Sequence, residues 1–307
     1  MKSGDSVVEP DSILAPDGRF YHGYKDGKYF LPNDADEQDR LDFQHAGVML
    51  LLDGRLACAP VRQPRHVMDV ATGTGIWALE FARQNPGSHV IGTDLSRIQP
   101  DLEATVPNCE FIKEDAEEEW MYEHKFDYVH LRFVGSCFHS HRTVLRHAFD
   151  NMNPGGWIEY QDSLPELYRL GGSAEGSAVK KWCDLMVRGA ATMGRDLLVP
   201  MHYNNWLIET GFVDVHEEMI PAPFNTWPAD PKLKEVGKYS SLNWRTGVLA
   251  STRRIVMTTG DISPSELDLL AKEVKAEILD EKNQMFAPFF VVYGRKPFDG
   301  EIEKSST

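Results

Sequence analysis

Asp69-Val70-Ala71-Thr72-Gly73-Thr74-Gly75-Ile76-Trp77-Ala78 is the stretch that decides the fold. It continues a short apolar run, residues 66–70, that reads as a buried strand. It leads into residues 76–82, an apolar helical run that stops near Asn85-Pro86-Gly87. A strand that turns through glycines into a helix brings backbone close to a ligand and aims the first helical N–H groups at negative charge.

Outward from that loop, strands and helices alternate. Residues 89–93, 109–112, 126–131 and 157–160 are each strand-like. A helix between the last two carries Val144, Leu145, Ala148, Phe149 and Met152 on one face and ends at Pro154-Gly155-Gly156. Alternation at these intervals predicts an α/β fold with a parallel, doubly wound sheet. Further on, residues 203–210 read as a helix capped by Gly211, followed by strands at 213–215 and 288–293. About sixty-five mostly helical residues separate these two strands, among them a capping box at Ser263 and Glu266 with Pro264 at the first helical position. The expected organisation is a lead-in and helix over residues 1–60, a sheet domain over 61–297 with a helical cap at about 222–284, and a tail at 298–307. In the lead-in, a helix begins after Asp34, with Asp36, Glu37 and Asp39 where its N-terminus favours negative charge, and stops at Asp53-Gly54.

The whole chain has 307 residues, 32 Lys+Arg against 47 Asp+Glu, and a formal charge of −15. With 42% hydrophobic residues it has material for a full core, and no basic run offsets the acid excess, which argues against a nucleic-acid partner. Cys58, Cys109, Cys137 and Cys183 are too widely spaced for a zinc ribbon or a disulfide framework. Residues 1–16 lack the apolar run of a signal peptide, and residues 46–52 are too short an apolar stretch to span a bilayer. The expectation is a cytoplasmic protein with no membrane partner, nuclear if its role is regulatory.

The loop matches the dinucleotide fingerprint loosely, as Gly73-x-Gly75-x-x-Ala78. Three acids favour another ligand. Asp69, at the end of the first strand, suits an ammonium and sits badly beside a pyrophosphate. Asp94-Leu95, at the end of the second, can take both hydroxyls of a ribose. Asp115-Ala116, after the third, suits an adenine amino group. Ammonium, ribose diol and adenine occur together in S-adenosylmethionine, whose carboxylate can lie on the N–H groups of Ala71, Gly73, Thr74 and Gly75 or of the helix start. Arg132, just past the fourth strand, is a further candidate to touch the cofactor.

The stretch 69–78 resembles motif I of class I S-adenosylmethionine-dependent methyltransferases. The ordered set Tyr21-His22-Gly23-Tyr24, Asp36-Glu37-Gln38-Asp39-Arg40-Leu41-Asp42, Gly73-Thr74-Gly75-Ile76-Trp77-Ala78, Asp94-Leu95-Ser96-Arg97-Ile98-Gln99-Pro100, Asn153-Pro154-Gly155-Gly156-Trp157 and Arg295-Lys296-Pro297 resembles the LaeA-like methyltransferases of fungal secondary metabolism. The resemblance runs from about residue 20 to 297. It implies a Rossmann-like sheet of seven strands with the last antiparallel, helices on both faces, and a helical cap. It also implies that the Tyr21 segment and the first helix cover the cofactor. One departure is Ala71-Thr72, where many relatives carry glycine or cysteine.

Methyl transfer needs alignment and exclusion of water, and a base only where the acceptor must lose a proton. His139 and His202 are the base candidates, while His141 reads as a helix cap. His139-x-His141 lacks a third ligand, so no metal is expected. The leading reading is methyl transfer to a small-molecule acceptor. Beside it stand a LaeA-like regulator with protein partners and a cyclase or pericyclase that binds the cofactor without transferring methyl. A nicotinamide dehydrogenase ranks last.

Overall fold

The computed structural model describes Glu9, residues 11–100 and residues 105–301, so the first eight residues of the lead-in and the end of the 298–307 tail lie outside the described residues. In chain order the elements are β1 (Ile13–Leu14), β2 (Phe20–Tyr21), α1 (Ala35–Leu51), β3 (His66–Val70), α2 (Ile76–Gln84), β4 (His89–Asp94) and β5 (Cys109–Lys113). Then come β6 (Phe126–Arg132), α3 (His141–Asp150), β7 (Met152–Ser163), β8 (Tyr168–Arg169), α4 (Ala178–Thr192), α5 (Tyr203–Thr210) and β9 (Val213–Pro223). The last are α6 (Pro231–Asn243), α7 (Leu249–Ser251), α8 (Arg253–Met257), α9 (Pro264–Leu279) and β10 (Met285–Arg295). No helix among the described residues is long and apolar enough to cross a membrane.

The chain divides into two compact units. The first comprises Met1–Arg55, Ser163–Leu198 and Met219–Phe289, and the second Leu56–Asp162, Val199–Glu218 and Phe290–Thr307.

The second unit holds most of the sheet, including all of β3, β4, β5 and β6. The sheet has eight strands in the order β5-β4-β3-β6-β7-β10-β8, with β9 also paired to β10, and the two-residue β8 pairs antiparallel with the start of β10. β3, β4, β5, β6 and β7 pair in parallel, in registers such as Val67 opposite Val90 and Tyr128. β10 is antiparallel to β7, because Gly155 N–H donates to the O of Lys296, just past β10, and Lys296 N–H to Gly156 O, both at 2.8 Å, while Leu164, just past β7, donates to Pro288 O, early in β10. The resemblance implies seven strands; the sheet is of that mixed kind, with β10 reversed, and the two-residue β8 adds an eighth strand on β10. β3 is buried at four of its five positions, as a central strand covered on both faces must be. The core joins Met68, Val70, Val129, Leu131, Ile158 and Tyr160 of the strands to Leu145 and Leu207 of α3 and α5.

Two local expectations change. β7 begins at Met152 and runs through Asn153-Pro154-Gly155-Gly156, which the sequence suggested was only a helix stop. Gly155 takes φ +84, so the backbone bends there without leaving the sheet. Ser140, not His141, caps α3, its hydroxyl accepting from Thr143 N at 3.2 Å.

The first unit is mainly helical, with α1 packed along α6, and α4 against α8 and α9. Its apolar centre gathers Val179, Trp182, Leu267, Leu270, Val274 and Ile278. Asp34 caps α1 and also takes a two-pronged bond from Arg19 at 2.6 and 2.7 Å. The acidic first turn of α1 is not all solvated, because Glu37 is buried at 2% exposure. It accepts from Arg40 Nε at 2.8 Å and Nη2 at 2.6 Å and from the Ser251 hydroxyl, and Arg40 reaches Asn243 at 3.2 Å. Gly247 lies flat on that arginine stem, since a Cβ there would meet Arg40 Cδ at 2.4 Å.

Candidate functional site

In the second unit the ends of β3 and β4 and the start of α2 meet at the glycine loop. The loop alternates through the left-handed region, with φ +56 at Ala71, +59 at Gly73 and +80 at Gly75. Glycine takes that conformation freely, whereas Ala71 holds it against steric resistance, a form of strain that surrounding bonds must impose. Those bonds are present. Thr72 N–H donates to Thr93 O at 2.9 Å, Gly73 N–H to Asp94 Oδ2 at 2.9 Å, and Gly75 N–H to Thr72 O at 3.0 Å. Gln99 Nε2 donates to Gly73 O at 2.6 Å. Gly75 is also the residue before α2 and has no side chain to cap it, so the N–H groups of the first helical turn lack the usual side-chain partner.

The three acids take three different places. Asp94 is the last residue of β4 and half-buried, one oxygen on Gly73 N–H and the other on Ser96 N–H, each at 2.9 Å. These two N–H donors fix the orientation of a carboxylate that is still half-exposed. Leu95 follows it, half-buried. Asp115, just past β5, is buried, with Oδ1 accepting from Glu117 N–H at 3.0 Å. Ala116 beside it enters the core, and its carbonyl takes Trp120 Nε1 at 3.0 Å.

Asp69 sits deeper than Asp94. A direct grip on an ammonium requires an accessible oxygen, but Asp69 is 3% exposed and both oxygens are engaged within the protein. Thr72 Oγ1 donates to Oδ2 at 2.5 Å, and His130 Nδ1 lies 2.7 Å from Oδ1. His130 in turn stacks on Trp77 with ring centroids 3.7 Å apart and planes 5° apart, and Trp77 Nε1 donates to Leu56 O at 2.9 Å. Asp69 therefore holds the loop to the strand below it. His130, in the middle of β6, is the partner that sequence spacing did not reveal.

The reason for Gly75 also changes. A Cβ there would meet Phe111 Cζ at 2.5 Å, and one at Gly92 would meet Phe111 Cδ1 at 2.7 Å. These glycines make room for the Phe111 ring of β5, over which Arg97 lies at 5.6 Å.

Arg132 ends β6, and burial of its guanidinium lowers its pKa to about 10 against the pull of Asp69. His139 is half-exposed, 3.7 Å from Glu117, and His202 is exposed beside Trp206. Missing from the expectations was a buried pair at the end of β7. Asp162 Oδ2 accepts from Gly135 N–H at 2.9 Å and from the Tyr203 hydroxyl at 3.0 Å, and Tyr203 stacks on Tyr160 at 4.1 Å. Burial, then Asp162, pushes the Tyr203 hydroxyl well above its usual pKa, so it stays protonated. Tyr21 belongs to the first unit, where its hydroxyl donates to Asp17 at 2.8 Å and Arg254 lies 4.9 Å over its ring.

Residues 35–217 match the family described as a methyltransferase domain. The chain is 32% identical over 285 residues to the methyltransferase pytC of Aspergillus terreus, covering 92% of this chain and 87% of that one. It is 31% identical over 271 residues to the probable methyltransferase tdiE of Emericella nidulans, covering 85% and 82%. Similarity to the secondary metabolism regulator LAE1 of Cochliobolus heterostrophus is 33% over 261 residues, covering 81% and 83%.

Proposed function

The chain belongs to the S-adenosylmethionine-dependent methyltransferases, and from that premise we propose that it methylates a small-molecule acceptor in fungal secondary metabolism. The observation that carries the cofactor assignment is Asp94, fixed to the loop through Gly73 N–H yet half-exposed at the end of β4. It would hold the ribose diol, while the N–H groups at the uncapped start of α2 would hold the cofactor carboxylate. Asp115 and Ala116 would border the adenine, and Asp69 would act one step back by fixing Thr72. Bound S-adenosylmethionine supplies a methyl group on a sulfonium.

The protein's part is alignment and dryness. The Asp69–His130–Trp77 stack keeps the floor of the loop rigid. Where the acceptor must lose a proton, His139 and His202 are accessible bases, and Tyr203 is a donor locked by Asp162. The similarity to the methyltransferase pytC, over most of both chains, supports methyl transfer, whereas the similarity to the secondary metabolism regulator LAE1 supports a regulatory role on the same fold. Incubation with methyl-labelled S-adenosylmethionine and fungal extract separates them. Label in a low-molecular-mass product is expected. Label confined to protein would overturn the small-acceptor reading in favour of the regulatory one, and tight cofactor binding with no transfer would overturn methyl transfer itself.

A further inference from the structure

Away from the glycine loop, at the opposite ends of the same strands, three histidines converge. His66 opens β3 and His89 opens β4, and they stand directly opposite each other in the parallel register. Neighbours in register project from the same face of a sheet. His124, in the turn before β6, stacks on His66 with ring centroids 4.2 Å apart. The His89 ring meets the other two edge-on, at 6.3 and 6.4 Å. One ring nitrogen from each residue lies within 4.8 Å of those of the other two.

Neutral imidazoles gain little from such crowding by themselves. The His66 Nδ1 is buried and has no hydrogen-bond partner. The frame around the cluster is fixed. Asp127 Oδ2 accepts from Arg65 N–H at 2.7 Å and His66 N–H at 3.1 Å, and its other oxygen takes Asn153 Nδ2 at 2.8 Å. Glu110 Oε1 on β5 lies 3.1 Å from His89 Nε2, the carboxylate–imidazole contact that orients a ligating histidine.

We propose that His66, His89 and His124 form a three-imidazole site for a borderline divalent cation, zinc before others, with a fourth position left to water or Glu110. Nitrogens sharing one tetrahedral zinc at about 2.0–2.1 Å stand about 3.3–3.4 Å apart. From the observed separations of up to 4.8 Å, the exposed His124 and the half-buried His89 would have to turn inward to reach that spacing. Because the cation would tie the starts of β3 and β4 to the turn before β6, its effect is on the stability of the sheet, and methyl transfer does not enter its test.

The test uses the full chain, stripped with a chelator and titrated with zinc by calorimetry and with cobalt by visible absorption. One equivalent of cobalt with the absorption of a tetrahedral or five-coordinate imidazole complex is expected, together with a zinc-dependent rise in Tm. Loss of a supporting partner alone weakens metal sites by about 10–100-fold, so His124→Gln, which removes a direct ligand at an exposed position, is expected to weaken zinc binding by at least about 100-fold. His89→Gln should do the same, and unchanged far-ultraviolet circular dichroism shows that each variant is folded. Zinc affinity equal to wild type in both folded variants, or no stoichiometric cobalt complex in the wild type, overturns the site.

Discussion

Gly75→Ala tests how the loop is built. Its Cβ would stand 2.5 and 2.6 Å from two ring carbons of Phe111 and 3.2 Å from Gln99 Cγ, on a backbone at φ +80. Holding alanine in the left-handed region costs about 1–2 kcal/mol. Forcing a methyl into a packed site costs about 1–3 kcal/mol more. The ring is also held close by Gly92, whose Cβ position lies 2.7 Å from Phe111 Cδ1 and 2.8 Å from Cε1. A loss of about 2–5 kcal/mol in denaturant unfolding is therefore expected, with weakened S-adenosylmethionine binding because Gly75 is the N-cap of α2. The two costs are separable. In a Phe111→Leu background the steric part should vanish and the backbone part remain, giving a coupling of about 1–3 kcal/mol in the double-mutant cycle. A coupling within about 0.5 kcal/mol of zero would falsify the claim that Phe111 sets the glycine requirement.

Three further outcomes follow from the same site and its surroundings. Asp94→Ala removes a charged acceptor whose hydrogen bonds are worth about 1.5–3 kcal/mol, so calorimetry should show S-adenosylmethionine affinity lower by about 10–100-fold in a variant that still folds. Asp69→Ala leaves His130 and Thr72 without their carboxylate, and a stability loss of about 1–3 kcal/mol or more is expected; a wild-type unfolding midpoint combined with abolished cofactor binding would instead return Asp69 to direct contact. Arg295 holds the Glu301 carboxyl down to about 2, below its ordinary 4.5. The folded-state pKa is depressed, so this contribution is complete above pH 4.5 and is lost as the pH falls towards 2. Glu301→Gln should flatten the fall of Tm over that window, and an acid limb identical to wild type would show that the contact contributes nothing measurable.

The sheet was legible because its signals are local. Buried parallel strands are continuous apolar runs, and each is closed by Gly, Pro, Asp or Asn where the backbone must turn. The capping box at Ser263 and Glu266 was legible for the same reason, since all its partners lie within four residues, and the structure shows both of its hydrogen bonds. Where the sequence misled, the deciding partner was distant. β7 was read too short because Pro154-Gly155-Gly156 looks like a stop, yet its pairing is with Lys296, over a hundred residues away. Glu37 reads in sequence only as an acid suited to a helix N-terminus, because nothing nearby shows that Ser251 and Asn243 complete a buried network around it and Arg40.

The same distinction governs the site. The order of Asp69, Asp94 and Asp115 at successive strand ends was visible, because a parallel sheet puts those ends on one edge. Which acid faces outward was not, since that depends on what arrives from other strands. β6 brings His130 beneath Asp69, whose carboxylate is buried, whereas β4 leaves the Asp94 carboxylate half-exposed. A buried carboxylate bound to a histidine that stacks on Trp77 is a rigid support. A half-exposed carboxylate pinned by two N–H donors is already oriented before anything binds. Cofactor selectivity should therefore respond to Asp94 and loop rigidity to Asp69, although the two acids look alike in the sequence.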